Sequence, residues 1–453
     1  MPAQLSEESK QIMWSISRRF VGSLVAAGMA LVAVPVFTDQ AAPVTVPGID
    51  KPVVVVTGEV TGAETWENSR YYVLRGAVFV RNGATLTIQA GTRIVGESGS
   101  VGTLIIDRGG RLMANGTAAQ PIVFTSDQRP GSRNRGDWGG IIVNGRAPNN
   151  REGGEGAGEG DTGVYGGTDA NDNSGVFRYL RVEFSGVEFS PDNELNGIAF
   201  QGVGRGTTVD YVQAHMSRDD AIEFFGGTVD MKHAVMSNAA DDSLDWTFGW
   251  TGRVQFAAVH HRGDDADNGI EADGNEFNNN ALPRSNPQIY NITLCGDPDR
   301  NEGPEGPRAA NLRRGTAFTI RNFLVTGFKA TGLQIETSNT ATTGLVTNGT
   351  SHIDAGVVWG IPTPLHSSVA ALVTSGYFTH IRTNVEPGVS TAACSTHAAP
   401  NFQPSGVATL AGGQLAPIQP PNDGFFEAVT FIGAVPPAPA HNWMDGWTSF
   451  PQD

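Results

Sequence analysis

The chain has 453 residues, 58 of them glycine; 17% are charged and the formal net charge at pH 7 is −16. A glycine-rich chain of modest charge suits a turn-rich β protein and excludes a disordered one. The acidic balance excludes nucleic acid and anionic membrane surfaces as partners, because phosphate contacts need clustered Lys and Arg.

Residues 1–42 read as an export segment. Ser17-Arg18-Arg19 precedes an apolar run from Phe20 to Phe37, the order of a charged region followed by a hydrophobic one. Cleavage is expected between Ala33 and Ala42, and membrane contact through this segment alone. The localisation that follows is the periplasm, the outer surface or the extracellular space. Residues 43–52 form a linker, and 53–453 a single domain with insertions near 149–174, 274–287, 296–310 and 385–424. Cys295 and Cys394 are the two cysteines; an exported chain permits a disulfide between them, and two buried thiols satisfy the sequence equally. Oligomeric state leaves no mark in the sequence.

From Val53 onward the chain is written in short β-branched and aromatic runs broken by Gly, Asn and Asp: VVVVTGEV, YYVLRGAVFV, ATLTIQAGTRIVG. None reaches the length or spacing of a helix. The succession LTIQAGTRI, GTLIIDRGGRLMANGTAAQPIVFTS and GDWGGIIVNG, with FIGAVPP and NWMDGWTSF near the end, resembles a broad group of bacterial secreted or surface proteins. These are right-handed parallel β-helices of the pectate-lyase-like fold, many without an assigned activity. The resemblance implies that fold and export, and leaves function open. Gly158 to Gly163 satisfies GxGxxG by chance: it follows no strand, and Glu159 and Asp161 would repel a phosphate.

Between Asp219 and Asp273 one unit is written three times: SRDDAIEFFGG, NAADDSLDWTF and HRGDDADNGIEAD. The doublets begin at Asp219, Asp241 and Asp264, so the unit recurs after 22 and then 23 residues. Ile222 and Phe224 alternate with Glu223, one face apolar and the other charged. A coil of this length, built of short strands and stacked about 4.8 Å above the last, is a parallel β-solenoid. The fold class expected is all-β, a single-stranded right-handed parallel β-helix. HSSVAALVTSG (366–376) is expected as one short helix. The bulk of Phe425, Phe426, Trp443 and Trp447 is expected to form an aromatic cap at the C-terminal end.

Stacking in register brings Glu223, Asp245 and Glu271 into one outward column. Two carboxylates about 5 Å apart repel by roughly 0.8 kcal/mol in water and about 3 kcal/mol at an effective dielectric of 20. With the doublets Asp219-Asp220, Asp241-Asp242 and Asp264-Asp265 alongside, such a column needs relief. It can raise a pKa, accept hydrogen bonds from turn amides, or bind a cation. Oxygen-only ligands suit Ca²⁺; the competing reading is that each Asp caps its own turn. Two loops with oxygens at alternate positions extend the calcium reading: Asp169, Asn171, Asn173, and Asp297, Asp299, Asn301. Both depart from an EF-hand, with the Gly one residue late and Leu180 and Arg308 in the place of the closing Glu, so ordinary Asx-rich turns are the preferred reading.

Pectate lyases pair calcium with an arginine base. Arg146-Ala-Pro-Asn-Asn-Arg151 has their RxPxxR shape, but the aromatic-Ile-Asp-His partner motif is missing and the string precedes the acidic rows, so it reads as coincidence. The catalytic candidates are Asp245, Glu271 and Arg313, the last placed one coil beyond Glu271, where it would also neutralise the column. His215, Ser237 and His260 share one position on successive coils and read as surface or turn residues. Trp246 and Trp250 read as core. The function expected is a non-enzymatic surface scaffold or adhesion protein, stiffened by Ca²⁺ and touching extracellular polysaccharide or another surface partner. The alternative is a polysaccharide lyase or glycoside hydrolase working along the acidic rows.

Overall fold

In the computed structural model, residues 51–453 are described, except 191–192, 263, 265, 299–306, 390–393, 395 and 406–414. The expected export segment lies outside them. Among the described residues 24 strands form one continuous sheet, and every pairing within it is parallel. Two small antiparallel hairpins stand apart from it, Glu155–Ala157 with Val164–Gly166 and Val187–Ser190 with Asn193–Leu195. No described helix is long and apolar enough to cross a membrane.

Each coil contributes a four- or five-residue strand, such as Ile222–Phe225, and an eight-residue strand, such as Asp230–Ser237. The long strand is folded over a single left-handed residue: Tyr211, His233, Phe256 and Asn291 have φ of 55°, 51°, 61° and 57° on successive coils. The ladder skips that residue each time. A left-handed non-glycine is unfavourable alone. Here the corners stack, with ring centroids of Tyr211 and His233 4.2 Å apart, so one contact supports the next.

Inward residues form ladders. Ile222, Leu244 and Ile270 lie in register, as do Phe224, Trp246 and Ala272, and all are buried. Phe200, Phe224 and Trp250 stack inside, the last pair 4.0 Å apart. Each such side chain contributes about 1.5–3 kcal/mol through burial. Trp246 and Trp250 belong to this core, their indole N–H groups donating to Thr316 Oγ1 and Val229 O.

The aromatic C-terminal segment does not plug the end of the solenoid. It runs along the flank, over a second apolar cluster that joins Val235, Ala258, Leu324 and Val357 of the coils to Phe402, Ile432 and Trp447 of the segment. Three side-chain amides hold this strap by both backbone groups of one residue. Gln213 holds Ser449, Gln255 holds Glu427 and Asn322 holds Ile418, all at 2.7–3.0 Å. Cys295 and Cys394 form a disulfide that bolts the strap to the same face. The core at the last coils is instead closed by two short helices, Ala341–Thr347 and Ser367–Thr374, through Val346, Val369 and Leu372. The second is the helix expected from the sequence. Residues 308–310, expected at the end of an insertion, belong to a strand of the ladder, Arg308–Leu312, paired with Asn268–Ala272.

The strap also corrects the expectation for the histidines. His215, Ser237 and His260 do stack in register, but all are fully buried. His215 Nδ1 pairs with Ser237 Oγ at 2.9 Å and its Nε2 with Pro451 O of the strap at 2.6 Å. Burial lowers its pKa to about 3.

Candidate functional site: an acidic lattice beneath a groove

Glu223, Asp245 and Glu271 occupy one outward column on the short-strand face, each directly paired with the next. Ala199 precedes them on one side and Asn311 follows on the other. The acids therefore interrupt a ladder that is apolar on earlier coils, where Ile105 and Ile142 stand in line.

A second ladder runs at the corner before these strands. The amide of Asp242 donates to Asp220 Oδ1 at 2.9 Å, and that of Asn268 to Asp242 Oδ1 at 2.5 Å. By register the ladder begins at Asn196, whose Nδ2 donates to Glu223 Oε2 at 2.6 Å. One oxygen of each of these aspartates thus supports the next turn, as the capping reading expects. The lattice carries more oxygen than the caps use. Asp219, Asp220 and Asp241; Asp220, Glu223 and Asp245; Asp241, Asp242 and Asp267; and Asp242, Asp245 and Glu271 each bring one oxygen apiece within 4.8 Å of one another. Asp245 Oδ1 is buried without a hydrogen-bond partner.

The third doublet is displaced from its expected place. The core residue Ile270 fixes the register, so Asp267-Asn268, not Asp264-Asp265, is equivalent to Asp241-Asp242. Asp264 lies outside the lattice, paired with Arg135 at 3.0 Å and Arg262 at 3.4 Å. Asp265 is outside the described residues. Counting back three residues from each aliphatic, rather than matching doublets, would have found Asp267.

Burial first, and repulsion by neighbouring acids after it, holds Asp219, Asp220, Glu223, Asp242 and Asp245 well above the usual carboxylate range. Burial pushes Asp273 up to about 7 against the opposing pull of Arg314. Arg313 donates to Glu271 Oε2 and to Asp273 Oδ1, the latter at 2.7 Å; Arg314 donates to Asp273 Oδ2 at 2.7 Å. Two guanidinium groups therefore neutralise the far end of the column.

Above the lattice lies a groove of about 500 Å³. Its walls come from three excursions of the chain: Arg151, Glu159 and Tyr165 from one, Asn193 and Glu194 from a hairpin, Glu276 and Phe277 from a third. The Tyr165 hydroxyl is buried there, beside Arg151. Arg151 of the RxPxxR string, expected to lie apart, reaches this wall, whereas Arg146 turns away to Asn82 Oδ1 at 2.9 Å. Sequence reasoning missed Asn196 and Asp273, which stand in the repeated coils without matching the doublet pattern, and Tyr165 and Phe277, which belong to no repeat.

The two loops with alternating oxygens are elsewhere. Asp169 and Asn173 accept from the amides of Asn171 and Gly175 at 3.0 and 2.8 Å, the bonds of Asx turns. Asp297 faces His397 Nε2 at 3.3 Å, and Asp299 and Asn301 are outside the described residues.

A family model described as a pectate-lyase-like β-helix domain matches residues 58–402. No curated protein and no solved structure matches the chain. The continuous parallel ladder and the span of that match lead to one conclusion: the chain belongs to the pectate-lyase-like β-helix family.

Proposed function

We propose that this protein is an exported, non-enzymatic β-helix scaffold that holds Ca²⁺ in its acidic lattice and presents the groove above it to a glycan. The observation that carries the proposal is the surplus of buried carboxylate oxygen, above all Asp245 Oδ1, which accepts no hydrogen bond of ordinary geometry among the described residues. A buried charge without a partner is costly. Calcium takes six to eight oxygen ligands in flexible geometry, and the donors here are all oxygens. Asp219, Asp220, Glu223, Asp241, Asp242, Asp245, Asp267 and Glu271 would hold it. The disulfide fits an oxidising compartment.

Arg313, the arginine that a lyase would need as a base, is committed to Glu271 and Asp273, which favours the scaffold over cleavage. Thermal melting of the mature chain tests the calcium reading. Millimolar CaCl₂ is expected to raise the melting temperature by several degrees over EDTA, and a melt indifferent to both ends the metal proposal. Asp245→Ala separates scaffold from enzyme: a lost calcium response without any glycan cleavage by the parent protein fits the scaffold. Cleavage that vanishes in a variant melting like the parent fits an enzyme.

A further inference from the structure

We propose that the ligand of this groove is an uncharged glycan, and that Phe277 is the platform on which one of its sugar rings stacks. The inference rests on the glycan reading above and adds the ligand class and the residue that recognises it.

Phe277 is 77% exposed, the largest exposure of any bulky apolar residue described. Isolated exposed apolar residues are ordinary; this one is held in place. Asn275 Oδ1 accepts from the amides of Phe277 and Asn278 at 2.9 and 3.0 Å. Asn275 Nδ2 in turn donates to the carbonyl and the side-chain oxygen of Asn150 at 3.1 and 3.0 Å, and Asn150 Nδ2 donates to Gly274 O at 3.1 Å. Both asparagines are buried. Two excursions distant in sequence are thus locked together directly beneath the exposed ring. The ring lies nearly parallel to Phe248, 10° between planes and 6.4 Å between centroids, and the Arg151 guanidinium sits 4.4 Å over Phe248.

Phe277 also stands where two cavities meet. It lines the groove of about 500 Å³ over the acidic lattice and a neighbouring cavity of about 620 Å³. Arg151 and Ala157 line both as well, so a ligand long enough to fill both passes among these three residues, of which Phe277 offers the aromatic face. A rigid aromatic face with polar groups on either side is the chemistry that takes the apolar face of a pyranose.

Charge selects the class. Among the described residues the groove is lined by eleven carboxyl groups and three arginines, so even two bound divalent cations leave it negative whenever the acids are ionised. A polyanion would be repelled. Carboxylates accept hydrogen bonds and donate none, and a neutral sugar offers a ring of hydroxyl donors.

The test is affinity electrophoresis of the mature chain with calcium, in gels cast with a soluble β-glucan, a galactomannan, a xyloglucan or polygalacturonate. The parent is expected to be retarded by at least one neutral polymer and not by polygalacturonate. Phe277→Ala should weaken that retardation about tenfold, near 1.4 kcal/mol, with an unchanged melting temperature and calcium response, while Phe277→Tyr restores it. Leu282→Ala, 76% exposed in the same loop and outside both cavities, should behave as the parent. Equal retardation of Phe277→Ala and parent overturns the platform; retardation by polygalacturonate alone overturns the ligand class. If no polymer retards the parent, the glycan reading itself fails and this inference with it.

Discussion

On one side of each coil the outward residues are Glu223, Asp245 and Glu271; on another they are Val235, Ala258, Thr293 and Leu324. The first set lies on the short strands and the second on the long strands of the same coils, and both ladders are parallel. The apolar face is covered by the strap, and its amides are matched one to one with strap backbone. The acidic face is roofed by three excursions that leave a groove and an excess of carboxylate oxygen. In a solenoid the inner ladder sets the fold and the outer ladder is free to vary. One outer face here adds stability and the other gives some of it up to a cluster of buried acids.

That contrast can be broken from either side. The largest effect is expected on the covered face: Trp447→Ala removes a fully buried indole whose N–H donates to Trp443 O. It should cost about 3–5 kcal/mol, measured by denaturant unfolding, with the calcium response intact. A loss below about 1 kcal/mol would mean that the strap is an ornament. On the acidic face the sign should depend on the ion. Asp245→Asn removes one of several mutually repelling charges, so in EDTA it should stabilise by about 1 kcal/mol. With calcium present the same change should destabilise relative to the parent. The same sign in both buffers would deny that the lattice binds the ion.

The gentlest probe is pH. Carboxyl groups whose folded pKa is raised take up protons on folding, so their contribution is greatest in acid and is lost as pH rises through the folded values. Without calcium the melting temperature should therefore fall between pH of about 4 and the region of 7, the value to which burial pushes Asp273. Calcium should flatten that fall, and a scan identical in both buffers would separate the raised pKa values from metal binding.

Much of this was legible because alternation and stacking are local. Ile222, Leu244 and Ile270 announce the inner ladder by their spacing, and Glu223, Asp245 and Glu271 follow as their outward neighbours. The error at Asp264 came from matching a conspicuous pair instead of the core residue that sets register. The histidines were misplaced for a different reason. An outward position says nothing about what lies over it, and His215 is buried by Pro451, 236 residues further along. The groove walls were equally hidden, since Tyr165, Asn193 and Phe277 share no period, and their meeting depends on how each excursion folds back.

The strap has a mechanical consequence. Stacked coils that touch only their neighbours can fray one at a time from either end. A single thread stitched from Arg181 and Gln213 to Asn322, and riveted by a bond between residues 99 apart, makes those coils give way together or not at all. The acidic face lies on this same splinted stretch, so the geometry of its oxygens is kept by a seam that runs over the long strands of the same coils.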